Sequence, residues 1–116
     1  MILGRQTNFS MERLIEELNH PTGATCSGLI VNELGIIRLT TASQVEKAET
    51  EKALRIFMNT CSGVDRFVAF SFLATLDDPE EETSASLAKF RANNENEGML
   101  AFAEQSVETF KAKLVT

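Results

Sequence analysis

The sequence predicts an all-α domain, built as a short stack of antiparallel helix pairs. Three observations predict it. Apolar residues recur at helical spacing through most of the 116 residues. One central segment, Val64 to Leu76, is apolar nearly all round, as a helix must be if it sits inside a fold. Three stretches also share one pattern: an apolar helix end, a polar turn, then a helix mixing small and large apolar residues. A length of 116 residues suits one domain spanning 1–116. A chain of that size buries enough surface to fold without metal or disulfide staples.

The first predicted helix runs from Phe9 to Asn19, with Met11, Leu14, Ile15 and Leu18 inward, and His20-Pro21 ends it. The span Gly28 to Thr41 is open. Its Leu29-Ile30-Val31 and Ile36-Ile37-Arg38-Leu39-Thr40-Thr41 runs are rich in strand formers and are separated by Asn32-Glu33-Leu34-Gly35. It reads as a buried helix; the alternative is an α+β fold with a hairpin at 28–41 that dimerises through a sheet edge. Ala42 to Thr60 follows as a helix, with Val45, Ala48, Phe57, Met58 and Cys61 on one side and Glu51 paired to Arg55 on the other. Gly63 separates it from the segment Val64, Phe67, Val68, Phe70, Phe72, Leu73, Leu76, which is the expected core.

Asp78-Pro79-Glu80-Glu81 supplies an N-cap acid, a proline at the first helical position and an acid at the third, so a helix is expected from Pro79 to Ala92 with Leu87 and Phe90 inward. Glu80, Glu81 and Glu82 suit the positive helix end. Asn94 with Glu97 repeats that logic for a last helix from Glu95 to Leu114, carrying Met99, Ala103, Val107, Phe110 and Leu114 inward and Lys111 and Lys113 at its negative end.

Aligning Leu34, Leu76 and Phe110 gives spacings of 42 and 34 residues. The stretch Asp65-Arg66-Phe67-Val68-Ala69-Phe70-Ser71-Phe72-Leu73-Ala74-Thr75-Leu76-Asp77-Asp78-Pro79-Glu80 is similar to the second helix of the HEAT-like helical-pair repeats, with its early Arg, small residues and Leu before an acidic-proline turn. Weaker copies run from Asn19-His20-Pro21 to Leu34-Gly35 and from Asn93-Asn94 to Val107. Those two lack the early Arg, since Thr25 and Met99 lie near its place. The resemblance implies six helices in three pairs and a protein-binding concave surface. On that pattern Arg55, Arg66 and Arg91 occupy related positions and form the candidate binding surface.

Composition narrows the function classes. A net charge of −6 with scattered basic residues argues against nucleic acid. Trp and Tyr are absent, which argues against recognition of bases by stacking. No run reaches the roughly 20 apolar residues that span a bilayer, so no membrane partner is expected. Met1-Ile2-Leu3-Gly4-Arg5 does not read as a secretory signal. With only Cys26 and Cys61, a cytoplasmic location is the simplest reading.

No catalytic motif, cofactor or metal site is expected. His20 is the single histidine and reads as structural. Cys26-Ser27-Gly28 and Cys61-Ser62-Gly63 repeat each other but lack redox spacing, so both thiols read as small core groups. The acids at 77–82 read as caps, and the loop 93–98 lacks the spacing of a calcium loop. The expected function is therefore a protein-binding or scaffolding module. The alternative is a small enzyme or ligand-binding protein on the same scaffold, which such a fold does not forbid.

Overall fold

The computed structural model describes residues 11–20, 27–61 and 63–114. Six α-helices order these residues: α1 Met11–Asn19, α2 Ser27–Thr40, α3 Gln44–Thr60, α4 Asp65–Thr75, α5 Glu81–Asn93 and α6 Gly98–Leu114. There is no strand among them, and the open span is helix α2. The reason is visible in its burial. Ile30, Val31, Leu34 and Ile37 line one helical stripe, and Leu34 is fully enclosed where a hairpin would have needed a solvated turn.

The helices form two layers. In one, α3 contacts both α1 and α5; in the other, α4 contacts both α2 and α6. Polar contacts give the directions. Glu51 meets Thr83 and Asn59 meets Ser86, so α3 and α5 run parallel. Gly28 faces Asp65 and Gly35 faces Phe72, so α2 and α4 run parallel. Arg66 reaches Asn94 while Phe70 stacks on Phe90, so α4 and α5 are antiparallel.

α4 is the centre, as its composition predicts. Ala69, Phe70 and Leu73 have no exposed surface, and Phe70 lies against Phe90 with ring centroids 5.1 Å apart. Each fully buried Phe or Leu contributes about 1.5–3 kcal/mol through apolar burial. The helix carries Ser71 and Thr75 without penalty because each hydroxyl donates to the carbonyl four residues back, at 2.9 and 2.7 Å.

Several local expectations are corrected. Val45 and Ala48 lie outside, and α3 turns Ala53, Leu54, Phe57 and Met58 inward. Val64 and Val68 are exposed. On α6 the inward row is Leu100, Ala103 and Val107, while Met99 and Phe110 are exposed at 43% and 42%. The caps differ as well. α3 is capped by Ser43, whose hydroxyl accepts from Glu46 N at 3.2 Å. α5 starts at Glu81 with Glu80 at the cap position and no side-chain cap of its own. Asp78 is drawn away to Arg38. Asn94 serves the end of α5, donating to Phe90 O at 2.8 Å, and α6 begins only at Gly98. Phe9 and Cys26 lie outside the described residues.

Candidate functional site

The three arginines of the sequence pattern meet different fates. Arg55 on α3 is committed: Nη1 donates to Glu80 Oε1 at 3.3 Å and Thr83 Oγ1 at 3.0 Å, and Nη2 lies 3.3 Å from Glu82. Arg91 on α5 grips Glu104 of α6 with both Nε and Nη2, at 2.9 and 3.0 Å. That pairing raises the guanidinium pKa further and ties α5 to α6. Arg66 alone has no carboxylate partner among the described residues. Arg66 and Arg91 flank one aromatic cluster: the Arg66 guanidinium is 4.6 Å from the Phe67 ring centre and 5.9 Å from Phe90, and Arg91 is 5.1 Å from Phe70. Arg55 stands apart, at the contact of α3 with α5.

Beside Arg66 opens a cleft of about 520 Å³ between α3, α4 and α5. Its charged lining consists of Arg66 and Lys89; Asn59, Ser86, Asn93 and Asn94 supply neutral polar groups, and Met58, Cys61 and Phe90 an apolar wall. Arg66 Nη1 donates to Asn94 Oδ1 at 3.1 Å, whereas its Nε is buried with no partner. Asn59 Nδ2 donates to Ser86 Oγ at 3.3 Å, which leaves the serine hydrogen free to donate. Burial pushes the Cys61 thiol up, so it stays protonated at neutral pH and is no ready nucleophile.

A second polar cluster escaped the sequence reading. Glu51, fully buried, was expected on an outer face with Arg55. Instead its Oε1 accepts from Arg38 Nε at 3.1 Å, and its Oε2 accepts from Glu80 N at 2.7 Å and Thr83 Oγ1 at 2.6 Å. Arg38 then reaches Asp78 at 3.0 Å. The carboxylate of one helix thus caps the start of another, joining α2, α3 and α5. With both oxygens occupied it offers no free base, so this is a structural clamp. The available signal was position: Glu51, Leu54 and Met58 share the i, i+3, i+7 stripe.

The outer face of α4 and α6 carries exposed apolar side chains. Phe102 is 69% exposed and Val64 63%, joined by Val68 and Phe110. Phe72 stacks on Phe110 at 6.3 Å. A shallow groove of about 310 Å³ lies along α6, lined by Phe102, Gln105, Ser106, Thr109, Phe110 and Lys113.

No helix among the described residues is long and apolar enough to cross a membrane, and no group of three metal-ligating side chains converges among them. Comparison with family models, with curated proteins and with solved structures finds no match to this chain.

Proposed function

We propose that this chain is a protein-binding module that receives an amphipathic helix of a partner protein on the outer face of α4 and α6. The observation that carries the reading is the exposure of Phe102 and Phe110 together with Val64 and Val68. Large apolar groups gathered on one face are characteristic of interaction surfaces rather than of solvated ones. Phe102 and Phe110 lie two turns apart, roughly 12 Å at 1.5 Å per residue. That spacing is close to the roughly 10.5 Å between the i and i+7 anchors of a helix laid in a groove. The resemblance to HEAT-like helical-pair repeats supports the same role, as do the parallel runs of α3 with α5 and of α2 with α4. The committed state of Arg55 and Arg91 shifts the expected surface from the arginines to this apolar face. A cytoplasmic, non-enzymatic module remains the companion reading.

A native mass spectrum of the protein recovered gently from its own cells tests this. The wild-type chain should carry a second, different chain, and Phe102→Asp/Phe110→Asp should be recovered bare with its helical content intact. Retention of the same partner by the double variant, or a wild-type chain recovered bare, contradicts the proposal. A doubled mass would replace it with self-association.

A further inference from the structure

We propose that the cleft between α3, α4 and α5 binds a small organic acid: an apolar body bearing one oxyanion head group, held between Arg66 and Lys89. The cleft is separate from the face assigned to a partner protein, so the two readings stand or fall independently.

Charge is the first argument. In a chain of net charge −6 the cleft lining holds two cations and no carboxylate, although Asp65 lies close enough to Cys61 to add to burial in pushing its thiol up. Arg38, Arg55 and Arg91 each have an acidic partner, whereas Arg66 and Lys89 have none among the described residues. Two unneutralised cations on one partly enclosed wall repel each other, and an anion between them relieves that repulsion.

Donor geometry is the second. The Arg66 guanidinium is held in place by its stack on Phe67 and its bond to Asn94, which presents a planar set of donors at little cost in side-chain entropy. Lys89 adds a point charge, the Ser86 hydroxyl retains its hydrogen, and Asn93 contributes a carboxamide. Such fixed donors suit the oxygens of a carboxylate or a phosphate monoester.

Shape is the third. About 520 Å³ falls within the roughly 300–1,000 Å³ of small-molecule sites. The apolar part of the lining is Met58, Phe90 and the uncharged Cys61 thiol, which suits a ring or short chain. The helix ends offer these cations a second role. α3 and α5 both end at this cleft, and their negative ends would attract cations with no ligand involved.

An amide-resolved NMR titration of the whole protein with benzoate and with phenyl phosphate decides between these. Benzyl alcohol serves as the uncharged probe of the same body. Both acids, or one of them, should give saturable shifts confined to residues 58–61, 66 and 86–94. The tighter acid identifies the head group as carboxylate or phosphate. Lys89→Gln, at an exposed position, should weaken binding by about tenfold or more while leaving the spectrum folded, and Lys111→Gln on α6 should leave it unchanged. Arg66→Gln should abolish it. If Arg66→Gln fails to fold, the Lys89 pair of measurements still decides. No saturable shift with either acid up to about 10 mM overturns the proposal. So does equal binding of benzyl alcohol, or undiminished affinity in Lys89→Gln; the two cations would then serve the helix ends alone.

Discussion

Glu51 shows how much one buried charge can govern. Its carboxylate satisfies Arg38, the Glu80 amide and Thr83 together, so removing it leaves Arg38 Nε, the amide and the hydroxyl without that acceptor, and the buried guanidinium with Asp78 alone. Glu51→Ala should destabilise the fold by about 3–5 kcal/mol in urea unfolding, the usual cost of breaking a buried pair from one side. Phe70→Ala should cost a similar 3–5 kcal/mol, through the cavity it leaves. Asp78 is a different case. The Arg38 guanidinium holds its carboxyl below the usual carboxylate range. A depressed folded pKa contributes stability above the unfolded titration range and loses it as pH falls through the folded value. Asp78→Asn should therefore lower Tm at neutral pH, and the difference from wild type should vanish in acid below that range. Equal Tm values at neutral pH would show that the Arg38–Asp78 pair contributes nothing. At this scale Phe70 and Leu73 were legible, because a segment apolar all round has only one place to go. Glu51 was not. Its partners lie 13, 29 and 32 residues away, beyond the reach of any local pattern.

The helices show where periodicity succeeds and where it loses phase. α2 is helical despite its strand-forming residues because its whole apolar stripe finds cover from α3 and α4. Its Gly35 is required by that cover, since a Cβ there would run into the Phe72 ring. Gly35→Ala should cost about 1–3 kcal/mol by overpacking, measured by urea unfolding. Gly98→Ala, with open space around it at the start of α6, should be neutral or slightly stabilising. Equal effects at the two glycines would refute the close approach of α2 to α4. The existence of α6 was legible over its 17 residues, and Ala103 and Val107 of its expected inward row are buried, but Met99 and Phe110 are not. Met99 adjoins Leu100 and Phe102 adjoins Ala103, so two apolar rows compete, and only the packing on α4 selects Leu100, Ala103 and Val107. The caps failed for a related reason. Asp78 has the right spacing for a cap, yet a buried guanidinium is a stronger partner than a helix amide that Glu51 already satisfies.

For the whole molecule, both helix layers expose some apolar groups, but the two exposed phenylalanines among the described residues, Phe102 and Phe110, both lie on α6. The layer of α1, α3 and α5 spends polar residues on its joints: Glu51 holds the Glu80 amide and Thr83, and Arg55 spans Glu80, Glu82 and Thr83. The layer of α2, α4 and α6 exposes Leu29, Leu39, Val64, Val68, Met99, Phe102 and Phe110, against Val45 and Ile56 on α3. Phe102→Ala should accordingly change stability by less than about 1 kcal/mol, in contrast to Phe70→Ala, because its ring is already in solvent. The central claim is that this face meets a partner protein. Its most direct test is a photo-crosslinking residue placed at position 102 and, as a control on another exposed part of α6, at position 108, with irradiation inside the source cells. The account predicts one reproducible heterologous adduct at 102, absent at 108 and lost when Phe110→Asp is added. Adducts of equal yield at both positions, or none at 102, would contradict it.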